Sequence, residues 1–168
     1  GTLRVQPYRP YFRAFTLESL GFDDAALKEL EEAIHFDPFY ADAHDLMGKI
    51  YAKRKNYKEA FNHFRLAVTA SPNDKEMHHN LALSYFDLKE YEGAIKQYER
   101  ITIMWPTDPK GHFLLSKTYI MNQQYPKALE VLKQAHKASP GDAKDVLELG
   151  DMLYEHKAYG EAADAYQL

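Results

Sequence analysis

The stretch that decides the fold lies between residues 41 and 74 and reads ADAHDLMGKIYAKRKNYKEAFNHFRLAVTASPND. The alanine near its centre, Ala60, and the proline near its end, Pro72, both recur at intervals of 34 residues. The two series are Ala26, Ala60, Ala94, Ala128 and Ala162, and Pro38, Pro72, Pro106 and Pro140. A fixed period of this length indicates a solenoid, in which one small unit is copied and stacked.

Other positions of the repeat also keep their character from copy to copy. Twelve residues before the repeated alanine lie the small residues Ala14, Gly48, Ala82, Ser116 and Gly150. Four residues after it lie the large residues Leu30, Phe64, Tyr98, Leu132 and Tyr166. Small and large residues alternate at helical spacing, so each copy predicts two helices. Small side chains such as those of Gly48 and Ala60 are expected where the two helices cross, because they let the backbones approach.

Proline and capping residues predict where the helices begin and end. In the copy quoted above, a first helix is expected from Ala41 to Arg54 and a second helix from Tyr57. Pro72 then closes the copy, because proline disfavours the helical conformation at the residue before it. The Asn or Asp that follows such a proline, for example Asp74, is a typical cap for the next helix.

These positions resemble the tetratricopeptide repeat family. In the copy quoted above, His44 replaces the tryptophan that is usual in the family. The other signature residues are present: Met47, Gly48, Tyr51, Tyr57, Ala60, Phe64, Ala67 and Pro72. The resemblance implies an all-α fold, a right-handed solenoid of antiparallel helix pairs. It divides a single array into an N-terminal arm (1–9), a degenerate repeat (10–40), full repeats (41–74, 75–108 and 109–142) and a partial repeat (143–168).

Composition restricts the partners. A net charge of −4 and a pI near 6.1 argue against nucleic-acid binding, which requires a basic face. The apolar runs are too short for membrane insertion. The absence of cysteine excludes disulfides and a thiolate nucleophile. The chain opens on Gly1-Thr2 without methionine, which suggests trimming; a cytoplasmic location is slightly favoured over a periplasmic one.

The sequence carries no recognisable catalytic motif. It lacks a phosphate-binding loop, a dinucleotide-binding turn, a zinc-binding helix motif and a nucleophile elbow. The best histidine cluster is Glu76, His78 and His79, but adjacent histidines on a helix point about 100° apart and cannot share one ion. We therefore expect no enzyme activity, no catalytic residue, no metal site and no cofactor.

The resemblance implies that a protein or peptide partner binds the concave groove lined by the first helix of each repeat. At about 100° per residue, positions 2, 5, 9, 12 and 13 of that helix lie opposite its inward face. The predicted partner-binding residues are Phe15, Asp45, Lys49, His79, Leu83, Phe86, Asp87, Lys110, Phe113, Lys117, Ile120, Met121, Leu147 and Tyr154.

Five of these residues predict an apolar strip with a charged rim, the usual mark of a binding site: Leu83, Phe86, Phe113, Ile120 and Met121. The alternative is that side chains at positions 9 and 12 pack between neighbouring first helices. The predicted function is that of a protein–protein interaction scaffold, which binds an amphipathic or apolar-anchored peptide segment of its partner.

One well-known binding mode of the family does not fit. Repeats that bind chaperone tails clamp a terminal carboxylate with lysine, arginine and asparagine on successive first helices. Asn80 and Lys110 match that clamp, but Asp45 and Lys49 replace the expected lysine and asparagine, and Leu114 replaces a basic residue. A carboxylate would be repelled by Asp45, so this mode is rejected.

The alternative function is a self-assembling homo-oligomeric scaffold. The fifth repeat stops inside its second helix at Leu168, without a capping helix. The N-terminal segment from Val5 to Tyr11 is extended, aromatic and rich in proline. Such an arm is able to lie in a groove of its own chain or of a neighbour.

Overall fold

The computed structural model describes residues 8–138 and 143–168, which form ten α-helices and contain no strand. The helices are α1 (Tyr8–Ser19), α2 (Asp23–Phe36), α3 (Ala41–Lys53), α4 (Tyr57–Ala70), α5 (Lys75–Asp87), α6 (Tyr91–Met104), α7 (Pro109–Met121), α8 (Tyr125–Ala138), α9 (Ala143–Glu155) and α10 (Tyr159–Ala165). Two helices therefore occupy each 34-residue interval, which confirms the predicted all-α class. Tyr8 and Arg9 are helical rather than part of an extended arm, and the rest of the arm lies outside the described residues.

The helices begin where the linker residues cap them. The Asp74 carboxylate accepts a hydrogen bond from the Met77 N–H at 3.0 Å. The Asp108 carboxylate accepts one from the Gly111 N–H at 3.1 Å. Each bond satisfies an amide that has no partner within its own helix. The predicted role of the residues after the linker proline is thus confirmed for α5 and α7.

The turn inside each repeat uses a residue in the left-handed conformation. That residue is Gly21 (φ 84°) in the first repeat, then Lys55 (60°), Lys89 (61°), Gln123 (59°) and Lys157 (61°). At the end of α3, the Lys55 N–H donates to the Ala52 carbonyl and the Asn56 N–H donates to the Tyr51 carbonyl, both at 2.9 Å. This pair of hydrogen bonds ends a helix, and the residue in the left-handed conformation is usually glycine.

The chain divides into two compact units, residues 1–88 and residues 89–168. In the first unit, the pairs α1/α2 and α3/α4 are each joined by a short turn and pack together, and α5 packs on α4. One core cluster lies among α1, α2 and α3 and includes Leu30, Met47 and Ile50. A second cluster joins α4 to α5 through Ala60, Phe64 and Leu81.

In the second unit, α7 packs against α6, α8 and α9, and α10 packs against α9 and α8. Its largest fully buried side chains include Tyr98, Ile101, Ile120, Leu149 and Leu153. The boundary between the units falls inside the predicted repeat 75–108. The single continuous array stays a prediction.

The small residues at the helix crossings have a steric reason. A Cβ placed on Gly48 in α3 would lie 2.6 Å from the Phe64 ring of α4. A Cβ on Gly150 in α9 would lie 2.6 Å from the Tyr166 ring next to α10. These two pairs occupy equivalent positions of the second and fifth repeats, so the expectation of close approach at Gly48 is confirmed.

Candidate protein-binding surfaces

The second unit contains a cleft of about 620 Å³. Its walls are the beginning of α7, the end of α8 and the beginning of α9. Phe113, Leu132 and Val146 supply apolar lining, while Lys110 and Asp145 supply charges of opposite sign. A cleft of this volume, with apolar walls and a few polar groups, is the usual form of a ligand site. Two predicted site residues, Lys110 and Phe113, thus share one concave surface.

Lys117 extends this surface along α7. Its Nζ atom lies 3.2 Å from Oε1 of Glu148 on α9 and 5.7 Å from the centre of the Phe113 ring. One ammonium group therefore links the aromatic ring to the neighbouring helix. Met121, one turn further on, is half-buried.

The remaining predicted residues differ in exposure. Leu83 is 45 % exposed, Leu147 53 %, Phe15 54 % and Tyr154 59 %. Phe86 and Asp87 are half-buried, Lys49 is exposed, and burial raises the pKa of Asp87. Leu83 and Phe86 belong to the first unit and Phe113 to the second. Their predicted continuity as one strip stays a prediction.

Three predicted residues are buried, so the expectation that they are exposed is wrong. Ile120 is 0 % exposed, because α7 is surrounded by α6, α8 and α9. It follows the alternative in which position 12 packs between helices. Asp45 and His79, both at position 5, are also buried. The Asp45 carboxylate is covered because it accepts hydrogen bonds from Asn80 Nδ2 of α5 at 2.7 Å and from Lys49 Nζ at 2.6 Å.

The first unit carries a different surface, built from three tyrosines and two aspartates. The ring of Tyr40, in the turn before α3, lies 5.7 Å from that of Tyr8 and 5.1 Å from that of Tyr11, both edge-to-face. Burial, then the negative charges of Asp42 and Asp45, raise the pKa of Tyr11. We call these five residues the tyrosine–aspartate surface. A scan of helix positions missed Tyr40 because it lies outside every helix.

Burial first, and nearby negative charge second, raise the pKa values of this surface. Burial and the nearby Asp42 raise the pKa of Tyr40 to about 12. Burial, followed by the charges of Asp45 and Asp74, raises the pKa of Asp42, and Lys49 partly opposes this effect. Desolvation and like charge both disfavour a carboxylate, and a nearby cation would favour it.

Histidines form a pair but no metal cluster in the described part of the chain. No group of three or more His, Cys, Asp or Glu side chains there is arranged to hold an ion. His44 and His63 lie 3.1 Å apart between their Nδ1 atoms, and His44 Nε2 lies 2.9 Å from the Pro38 carbonyl oxygen. His44 therefore donates from Nε2 to this carbonyl, and one of the two Nδ1 atoms donates to the other. Two imidazoles in this arrangement are a structural contact.

The comparisons with known proteins identify the family. The profile of the tetratricopeptide repeat family matches residues 25–168, and the chain belongs to this family. Tetratricopeptide repeats are protein–protein interaction scaffolds, and that is the class to which the fold and the family assign the chain. Among the described helices, none is long and apolar enough to cross a membrane.

Individual relatives match only locally in sequence. Cell division cycle protein 27 homolog A of Arabidopsis thaliana is 37 % identical over 70 residues, which are 42 % of this chain and 10 % of that protein. Hsp70-Hsp90 organizing protein 3 of Arabidopsis thaliana is 34 % identical over 67 residues, 40 % of this chain and 12 % of that protein. The chain thus spans about a tenth of the length of these relatives.

Solved structures extend the likeness of fold over nearly the whole chain. The structure of YrrB, described as a TPR protein with an unusual peptide-binding site, superposes with a TM-score of 0.76 at 20 % identity, covering 93 % of this chain and 80 % of YrrB. A structure of the MamA protein superposes with a TM-score of 0.82 at 17 % identity, covering 96 % of this chain and 88 % of MamA. At these identities the likeness concerns the fold alone.

Proposed function

We propose that this scaffold binds an amphipathic or apolar-anchored peptide segment of a partner protein, and that the cleft beside Phe113 receives the apolar anchor. The observation that carries the proposal is the cleft of about 620 Å³ bounded by α7, α8 and α9. An apolar side chain placed between Phe113 and Val146 would leave water for an apolar environment. Neither catalytic chemistry nor a cofactor is part of this function.

The charges beside the cleft suit a peptide with polar residues on both sides of its anchor. Lys110 and Asp145 line the cleft, and Lys117 and Glu148 lie further along α7 and α9. Groups of both signs at a rim orient a partner and select against wrong ones. The likeness to YrrB, which is described as having a peptide-binding site, supports the proposal.

A peptide-library screen followed by calorimetry tests this function. Wild type and Phe113→Asp should be compared with Ile103→Asp, which adds the same charge at an 80 % exposed apolar residue of α6 outside the cleft. The expected result is enrichment of peptides with apolar anchors, whose affinity falls at least about tenfold in Phe113→Asp and is unchanged in Ile103→Asp. Equal binding by all three proteins would contradict the proposal, as would loss of helicity in Phe113→Asp, because Phe113 would then be core.

Self-assembly is a second candidate, favoured by one observation. Tyr154 on α9 is 59 % exposed and lies edge-to-face, at 5.2 Å between ring centres, against Tyr159 on α10, which is 56 % exposed. Exposed aromatic side chains are typical of contact surfaces. Light scattering should then show a mass that rises with concentration and that Tyr159→Glu lowers. A constant monomer mass would exclude this candidate.

A further inference from the structure

The tyrosine–aspartate surface of the first unit combines aromatic faces with negative charge. Tyr8 and Tyr11 lie on successive turns of α1, and Tyr40 packs edge-to-face against both rings at 5.7 Å and 5.1 Å. Tyr8 remains 51 % exposed and Tyr11 is half-buried, so these rings contribute to the surface. The face of an aromatic ring is negative and attracts a cation within about 6 Å.

The carboxylates of this surface are unequally compensated. Asp45 already holds an ammonium group, because Lys49 Nζ lies 2.6 Å from its Oδ2 atom, and it also accepts a hydrogen bond from Asn80. Asp42, one turn earlier on α3, is exposed and has no ion pair within the described residues. Lys49 is the cation whose charge reaches Asp42, and Asp45 and Asp74 oppose it. The surface therefore has a negative charge in excess next to aromatic rings.

We propose that the tyrosine–aspartate surface binds a lysine or arginine side chain of a partner polypeptide. Charge complementarity selects this occupant: Asp42 would pair with the cationic group, and the Tyr8 and Tyr40 rings would contact its aliphatic stem or its charge. An acidic peptide or a phosphate backbone would be repelled by Asp42. The Lys49–Asp45 pair shows an ammonium group seated at this surface within the chain itself.

The tyrosine–aspartate surface shares no residue with the cleft of the second unit. It uses residues of α1, α3 and the turn before α3, all within residues 8–88. Binding at the tyrosine–aspartate surface does not require binding at the Phe113 cleft, and binding at the cleft does not require this surface. The two experiments therefore fail separately.

The experiment is a nuclear magnetic resonance titration of the full chain with two short Gly-Ser peptides, one carrying two arginines and one carrying two norleucines. The expected result is that the arginine peptide alone shifts the resonances of Tyr8, Tyr11, Tyr40 and Asp42, and that raising the salt concentration weakens the effect. Absence of these shifts at millimolar peptide would overturn the proposal. Equal shifts with the norleucine peptide would also overturn it, since the contact would then be apolar.

Two variants identify the groups. Asp42→Asn keeps the side-chain volume and should weaken binding of the arginine peptide about two- to fivefold, as should Tyr8→Leu, which removes a ring. Glu31→Gln on α2 removes the same charge at an exposed residue that is not part of the surface, and should leave binding unchanged. Equal weakening by Asp42→Asn and Glu31→Gln would mean that binding depends only on the net charge of the protein, which would overturn the proposal. If Asp42→Asn alters the circular dichroism spectrum, the binding affinity of Tyr8→Leu tests the proposal instead.

Discussion

The second and fifth repeats contain the same glycine–aromatic contact in two different surroundings. In α3/α4, Gly48 faces Phe64, which is 4 % exposed because α5 packs over α4. In α9/α10, Gly150 faces Tyr166, and a Cβ placed on either glycine would lie 2.6 Å from the facing ring. Tyr166 is nevertheless 44 % exposed. The distance between the glycine and the ring is therefore set within the helix pair, whereas the burial of the ring depends on the helix that packs on its other side. The two repeats should therefore tolerate the same substitution differently.

Gly48→Ala should have the largest effect on stability. Overpacking against a held ring costs about 1–3 kcal/mol, and the better helix propensity of alanine returns about 0.5–1 kcal/mol. At Gly150 the exposed Tyr166 ring is able to turn toward solvent, so we expect Gly150→Ala to be near neutral. Urea titration followed by circular dichroism measures the whole chain, and fluorescence of the single Trp105 reports the second unit.

Gly160→Ala is the matched control, because nothing lies within 4 Å of a Cβ placed there. It should stabilise the chain by about 0.5–1 kcal/mol through propensity alone. If Gly48→Ala and Gly150→Ala shift the transition equally, the difference between the two repeats has no energetic meaning.

The left-handed turns should respond equally in both repeats, since their strain is local. Lys55→Gly and Lys157→Gly relieve residues at φ 60° and 61° and should each stabilise the chain by about 1 kcal/mol. Gly21→Ala, at φ 84° with nothing within 4 Å of its Cβ, should destabilise it by a similar amount, about 1 kcal/mol. Thermal melting of the three variants checks this. A gain at one lysine but not at the other would show that neighbouring helices, rather than φ, determine the cost.

A smaller effect should appear as a pH dependence of the second repeat. Burial, and then His44, lower the pKa of His63 below its ordinary value of 6.5. The unfolded chain therefore binds this proton at a higher pH than the folded chain, so stability present above pH 6.5 should be lost as the pH falls below it. The fifth repeat has Val146 and Ala165 at the two equivalent positions.

Replacing His63 tests this dependence. His63→Phe should flatten the fall of the melting temperature between pH 7 and pH 5, and His35→Phe, at an exposed histidine of α2, should not. An unchanged slope in His63→Phe would assign the acid sensitivity to other groups.

The smallest effect is expected at the Tyr166 hydroxyl, which donates to the Asp151 carboxylate at 2.6 Å and helps raise the pKa of Tyr166 to about 12. Phe64 has no such group, so Tyr166→Phe makes the fifth repeat more like the second. Because the bond is exposed to water, Tyr166→Phe should leave the urea midpoint almost unchanged. A clearly lower urea midpoint in Tyr166→Phe would show that this hydroxyl holds the ring in place.

Sequence periodicity predicted the helices and their crossings because these depend on residues within one repeat. Gly48 and Phe64 are sixteen positions apart in one copy, and the same spacing relates Gly150 to Tyr166. The capping residues Asp74 and Asp108 were also predictable, since a cap acts on an amide three residues later. The left-handed turn was not, because Lys55 carries no glycine signal.

The candidate site was less predictable, because burial depends on neighbouring helices. Phe113 and Ile120, at positions 5 and 12 of α7, were both predicted to face the groove. In the structure Phe113 lines a cleft, whereas Ile120 is buried. Tyr40 lies in a turn that a helical-face scan omits. The helix position of Asp45 predicts an exposed charge. In the structure its carboxylate is covered, because Asn80 and Lys49 contact it.

The glycine–aromatic contact also limits how such a chain is able to diversify by duplication. Gly48 and Phe64 fit each other, and in the fourth repeat the equivalent Ser116 and Leu132 occupy the same two positions, with Ser116 donating to the Ala128 carbonyl at 3.1 Å. Grafting α7 beside α4 would drive a serine side chain into a phenylalanine ring, whereas grafting α3 beside α8 would leave an empty volume next to a leucine. Exchanges of whole helix pairs should therefore be tolerated better in this chain than exchanges of one helix within a pair.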